Sequence, residues 1–138
     1  MNSLRILVVE DHDESRLALS RLLRMSGHEA VPAANAHEAR VLAASAMFDV
    51  LLIDLALPDG SGTDLLRDLR LSSNAPALAL TALGEEWFAG AGAQAGFSGW
   101  LVKPMVFEDL MSAVESAARR SAPSHYAASS PSPQSYRV

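Results

Sequence analysis

With 138 residues, 49% of them apolar, the chain is long enough for one domain with a substantial core. A net charge of −5 leaves no basic footprint for a nucleic-acid duplex or an anionic membrane, and no apolar run approaches the roughly 20 residues of a membrane span. The absence of cysteine excludes disulfides, thiolate metal sites and cysteine nucleophiles.

Residues 4–9, LRILVV, are a short apolar run of the kind that forms a strand buried on both faces. The run is too short for a signal-peptide core and leads straight into acids, so a soluble cytoplasmic protein is the expectation. Residues 13–25 place Leu17, Leu19, Leu22, Leu23 and Met25 near helical spacing, with Asp13 as N-cap and Gly27 as the stop. Residues 28–32, HEAVP, suit an edge strand, where proline is tolerated. An alanine-rich helix follows over 35–46, capped by Asn35, and 49–53, DVLLI, reads as a second buried strand.

Residues 63–71 form a helix opening on Thr63 and turning Leu65, Leu66 and Leu69 inward, and 77–80, ALAL, are the next strand. The segment 84–96 should be helical to keep the alternation, but Gly90 and Gly92 lie inside it. Each costs about 1 kcal/mol relative to alanine, so this is an easily perturbed helix. Residues 100–102, WLV, are a shorter strand, and 105–119 form a helix with Phe107, Leu110, Met111 and Val114 on one face. Arg119 and Arg120 end that helix at the negative pole of its dipole. From residue 121 the sequence becomes Ser/Pro/Ala-rich without apolar period, so 1–120 is expected to be the domain and 121–138 a flexible tail.

Strands alternating with helices imply right-handed crossovers and an α/β fold, a doubly wound parallel sheet. In such sheets ligands collect beyond the carboxyl ends of the strands. The residues standing there are Glu10 and Asp11, then Asp54, Thr81 and Lys103. Three carboxylates in one crevice repel one another unless a cation sits among them, and oxygen-only ligands suit Mg²⁺. A carboxylate can also serve as nucleophile and form an aspartyl-phosphate, whose charge a metal, an ammonium and a hydroxyl would neutralise. Lys103 is the one lysine among eleven basic residues, the other ten being arginine. A compact ammonium, rather than a guanidinium fork, is wanted at that place.

The pieces LVVEDH, LLIDLALPDGSG, LTA and GWLVKP, in this order from about Leu4 to Arg119, resemble the receiver domain of bacterial two-component response regulators. The resemblance implies a CheY-like (flavodoxin-like) fold, five parallel strands in the order 2-1-3-4-5 with five helices. It implies Asp54 as phosphoacceptor, Thr81 as hydrogen-bond donor to the phosphoryl oxygens and Lys103 as their ammonium partner. Asp11 directly, Glu10 through water, Asp54 and the backbone carbonyl of Ala56 would bind Mg²⁺ (or Mn²⁺), and the Lys103–Pro104 bond would be cis. A histidine kinase or histidine phosphotransfer protein would be the donor, and an unidentified protein target would read the face around Gly84–Leu101. Neither nucleic acid nor membrane is implied as a partner. The chain would be a phosphoacceptor rather than an enzyme, with at most self-phosphotransfer and autodephosphorylation. A stand-alone receiver without output domain is expected, the alternative being a receiver fragment of a hybrid histidine kinase.

Three positions depart from the family pattern. Trp100 stands where a tyrosine or phenylalanine usually turns inward on phosphorylation; the alternative is a core-edge tryptophan with its N–H bonded to solvent. Ala56 and Leu83, which flank the phosphoryl site in relatives, are apolar here and cannot orient an attacking water, so a long-lived phosphoryl group is expected. Trp87 and Phe88 are adjacent aromatics that cannot both face the core. One exposed ring would offer a sticky surface spot; otherwise one is buried and the other lies flat. A Mg²⁺-dependent phosphohydrolase is a remoter alternative, because Ala56 replaces the acid such enzymes use as proton donor. An FMN binder would need a hydroxyl- and glycine-rich phosphate loop where this chain has EDHDE. A pseudo-receiver scaffold sits poorly with the complete acid, threonine and lysine set.

Overall fold

A computed structural model describes residues 3–120 together with 135–136. In chain order the elements are β1 (Arg5–Val9), α1 (Asp13–Met25), β2 (Glu29–Ala33), α2 (Ala36–Ser45) and β3 (Val50–Asp54). A two-stranded antiparallel pair, β4 (Ala56–Leu57) and β5 (Gly60–Ser61), leads into α3 (Gly62–Leu69). Then come β6 (Ala77–Thr81), α4 (Glu85–Trp87) with a π-helical turn over Phe88–Gly92, β7 (Gly99–Val102) and α5 (Phe107–Arg120). The principal strands lie in the order β2-β1-β3-β6-β7, all neighbours parallel, which is the expected 2-1-3-4-5 counted over the five long strands. A further short strand, β8 (Ser135–Tyr136), pairs parallel with β7, Trp100 opposite Ser135. No apolar period marks it in the chain, and the rest of the expected tail, 121–134 and 137–138, lies outside the described residues.

Period-two alternation along each strand divides the core between the two faces. Leu7, Val9, Leu51, Ile53, Ala77 and Ala79 face α2, α3 and the Phe88 segment. Ile6, Val8, Val50, Leu52, Leu78 and Leu80 face α1 and α5. At about 1.5–3 kcal/mol per fully buried large aliphatic side chain, these two layers supply most of the drive to fold. Among the described residues no helix is long and apolar enough to cross a membrane.

Local expectations needed correction at several helix ends. The N-cap of α1 is His12, without a side-chain bond; Asp13 is the first helical residue and accepts from Arg16 at 2.6 Å. Leu17 and Met25 are 62% and 75% exposed, because the buried stripe of α1 is the narrower one through Leu19, Ser20 and Leu23. Ser61 rather than Thr63 caps α3, accepting from the Asp64 N–H, and Thr63 bonds the same hydroxyl. The inward face of α5 runs through Leu110, Ala113, Val114 and Ala117, leaving Phe107 exposed at the helix start. In α2 the Asn35 carboxamide caps the Glu38 N–H as the sequence indicates. Pro32 sits within β2, whose outer edge needs no donor.

Candidate functional site

β1 and β3 are neighbours and β7 lies one strand further along, beyond β6; all four run parallel and end at the same edge, so the residues just beyond β1, β3 and β7 converge. The carboxylates of Glu10, Asp11 and Asp54 each place an oxygen within 4.8 Å of the other two. Lys103 enters from the end of β7, its Nζ donating to Glu10 Oε1 at 2.6 Å and to Asp54 Oδ2 at 2.7 Å. Its partners lie 93 and 49 residues away in sequence, so only the sheet topology brings the three together. The second oxygen of Asp54, Oδ1, accepts from the Ala56 N–H at 3.0 Å. Glu10 and Asp54 are buried, whereas Asp11 and Ala56 are exposed at the mouth of the same cleft, along with His12 and Ala82, and Ser15 there is half-buried.

The electrostatics follow from that burial. Loss of water raises the Glu10 carboxyl above its ordinary value, and the neighbouring Asp54 adds to the shift, against the lowering effect of Lys103. Burial alone would lower the Lys103 ammonium, but its hydrogen bonds to Asp54 and Glu10 and their charges hold it above the ordinary lysine value. The cluster carries three acids and one ammonium, an excess of negative charge on oxygen donors. That donor set fits a hard divalent cation such as Mg²⁺.

The loop after β3 is fixed by its own glycine. A Cβ on Gly62 would lie 2.5 Å from the Asp54 carbonyl oxygen and 2.9 Å from Leu55 Cα, and the Gly62 N–H donates to the Leu55 carbonyl at 2.9 Å. Only a residue without a side chain lets α3 start so close behind Asp54. Thr81 stands buried at the end of β6, and its hydroxyl accepts from the Leu83 N–H at 2.9 Å. Leu83 is 56% exposed and does not line the cleft. The Lys103–Pro104 peptide bond is cis.

Trp100 is not at the core edge with its N–H in solvent. It is 2% exposed, its ring stacks on Phe88 with centroids 4.5 Å apart, and its Nε1 has no partner among the described residues. Of the adjacent aromatics, Phe88 is buried and Trp87 half-buried, its ring tilted against Phe97 at 5.8 Å. Thus one ring fills the core and the other lies over it. Sequence reading missed the Phe88–Trp100 stack because residues 12 apart on different elements leave no periodic trace.

The description "Response regulator receiver domain" belongs to the family whose model matches residues 6–115. The two-component response regulator PhoP of Pseudomonas aeruginosa is 39% identical over 121 residues, covering 86% of this chain and 53% of that protein. The chain spans about half the length of the curated relatives it matches. Among solved structures, a response regulator from Chloroflexus aurantiacus superposes with a TM-score of 0.79 at 31% identity, over 86% of this chain and 100% of that one. The receiver domain of the sensor histidine kinase PA1611 from Pseudomonas aeruginosa gives a TM-score of 0.76 at 26% identity, over 86% of this chain and 99% of that one, and holds a magnesium ion coordinated in its active-site cleft. With the fold, the convergent acids and the family model in agreement, the chain belongs to the receiver domain family of two-component response regulators.

Proposed function

We propose that this domain is a phosphorylation-operated switch that takes a phosphoryl group onto Asp54 from a phosphohistidine of a kinase or phosphotransfer protein. The observation that carries this reading is Lys103 bridging Glu10 and Asp54, an ammonium held against the one buried strand-end aspartate. An oxygen of Asp54 attacks phosphorus, the P–O bond forms as the P–N bond breaks, and the imidazole leaves. Lys103 neutralises the transferred group, and its bond to Asp54 before transfer keeps the ammonium poised there. The Thr81 hydroxyl, an acceptor toward the Leu83 N–H, retains its own proton to donate to a phosphoryl oxygen. Glu10, Asp11, Asp54 and the Ala56 carbonyl would hold Mg²⁺ (or Mn²⁺), which when bound supplies further positive charge to the phosphoryl oxygens.

An apolar groove of about 390 Å³ between α1 and the start of α5 opens beside the cluster, lined by Leu19, Leu22, Pro104, Met105 and Val106 as it reaches Glu10 and Lys103. It suits the apolar face of a donor helix carrying the phosphohistidine. The phosphorylated domain is read by a protein partner on the face around Gly84–Leu101, where the weakest helix lies. With Ala56 and Leu83 unable to orient water, the phosphoryl group is long-lived, and Ala56→Asn with Leu83→Lys speeds its loss; an unchanged rate contradicts this.

The test is incubation with Mg²⁺ and acetyl phosphate, followed by intact mass. A Mg²⁺-dependent gain of one phosphoryl group, absent in Asp54→Asn, is expected. No gain, or a gain that survives the substitution, overturns the reading, and continuous phosphate release points to a hydrolase.

A further inference from the structure

Asp59, at the tip of the β4–β5 loop, was given no role by the sequence, yet it makes two long-range hydrogen bonds. Its Oδ1 accepts from the Ala36 N–H at 2.8 Å and its Oδ2 from the His37 N–H at 3.0 Å, across 23 and 22 residues. These are first-turn amides of α2, which have no partner within the helix. The end of α2 is already served locally: Asn35 Oδ1 accepts from the Glu38 N–H, and Glu38 Oε1 accepts in return from the Ala34 N–H. These two bonds serve the Ala34 and Glu38 amides and leave those of Ala36 and His37 to Asp59. What Asp59 adds is a tie between α2 and the loop that carries Ala56.

That loop is then held at both ends. Its root is fixed where Gly62 packs against the Asp54 carbonyl, and its tip is fixed by Asp59 on α2. The α2 helix is itself linked to α3 by the Arg40–Asp68 ion pair at 2.9 Å, so loop, α2 and α3 form a closed ring. Ala56 lies on the β4–β5 arm of that ring; its N–H orients Asp54 Oδ1 and its carbonyl is the proposed metal ligand. We infer that Asp59 is a positioning residue for phosphoryl transfer, clamping the loop to the amino end of α2 so that Ala56 stays aligned with Asp54. A carboxylate suits this task because it accepts from two amides at once and its charge lies at the positive end of a helix dipole. Consistent with this, the hydrogen bond from the Ala36 amide holds the Asp59 carboxyl below the usual aspartate range.

The inference rests on the proposed metal and phosphoryl site, and the experiment separates the two. Mg²⁺ binding is measured by titration calorimetry, and phosphoryl gain from acetyl phosphate by intact mass, for wild type, Asp59→Ala, Asp59→Asn and Asn35→Ala. Asn35→Ala removes the local cap of the same helix end and serves as the structural control. Asp59→Ala raises the half-saturating Mg²⁺ concentration about tenfold and slows phosphoryl gain, in the range found for residues that orient metal ligands. Asp59→Asn, which keeps one acceptor oxygen where Asp59 uses two, falls between it and wild type. Asn35→Ala lowers the melting temperature but leaves half-saturation in place. Equal Mg²⁺ shifts in Asp59→Ala and Asn35→Ala, or none in Asp59→Ala, overturn the positioning role. Mg²⁺ binding by the wild type without phosphoryl gain overturns the functional reading alone, and no Mg²⁺ binding overturns both.

Discussion

The acid cleft and the segment from α4 to Phe97 lie on neighbouring parts of one sheet but are held by opposite means. In the cleft, polar bonds overlap: Lys103 has two acceptors, Asp54 uses both oxygens, and Gly62 leaves no slack behind it. The segment has a three-residue α-turn, then a π-helical turn closed by the Ala93 N–H on the Phe88 carbonyl at 3.0 Å. Beyond its backbone hydrogen bonds it is held by ring contacts among Trp87, Phe88, Phe97 and Trp100, whose indole N–H has no partner among the described residues. A site that must hold charges within tenths of an ångström needs redundant directional bonds. An element proposed to change shape needs few, and π-turns and glycines supply a low barrier to local rearrangement.

Three glycines sharpen that contrast. Gly62→Ala forces a methyl into the Asp54–Leu55 backbone and should cost about 3 kcal/mol in urea unfolding, the upper end for overpacking. Loss of the Mg²⁺ response should accompany it; a stability within 1 kcal/mol of wild type would remove the rigid wall from the account. At Gly92 the added methyl meets the Trp87 ring at 2.6 Å, a side chain that can move. There the cost should be about 1 kcal/mol or less after the helix-propensity gain, with a red shift of Trp87 emission as the ring is displaced. An unshifted emission maximum would mean the ring does not lean on Gly92. Gly90 has nothing within 4 Å of such a methyl, and Gly90→Ala should raise stability by roughly 0.5–1 kcal/mol. If it also slows the response of the segment to phosphorylation, softness there is functional.

The two regions should also differ in their response to pH. Glu10 is raised by burial, so the metal-free domain draws stability from its protonated form, fully present below the ordinary glutamate value and lost as pH rises through the folded one. Protons and Mg²⁺ therefore compete at the cleft: the half-saturating Mg²⁺ concentration should rise as pH is lowered from neutrality, and Glu10→Gln should flatten that dependence. Emission from the aromatic segment without Mg²⁺ should not follow the same curve. A Mg²⁺ affinity independent of pH from neutrality down to the ordinary glutamate range would contradict the assignment of Glu10.

Much of the fold and of the convergence at the cleft was legible because its signals are local. Apolar runs mark buried strands whatever lies around them, and the residue after each run is fixed by counting, which is how Glu10, Asp11, Asp54 and Lys103 were found. What was not legible depends on partners far away in sequence. Asp59 reaches α2 across 22 and 23 residues, and the Phe88 ring finds Trp100 on another element. The choice of Ser61 over Thr63 as cap turned on where Gly62 could pack. The softness of the segment around Gly90 and Gly92 was visible from its glycines; its π-turn was not, because i→i+5 closure has no sequence period of its own.

The central claim is that Asp54, and not another acid of the cleft, receives the phosphoryl group. Reduction of the acetyl-phosphate-treated domain with borohydride converts an acyl phosphate to homoserine, and peptide mass mapping then locates it. Homoserine at position 54, dependent on Mg²⁺, is the predicted result. Label at Asp11 or Asp59, or no homoserine in a domain that has gained a phosphoryl group, would contradict it.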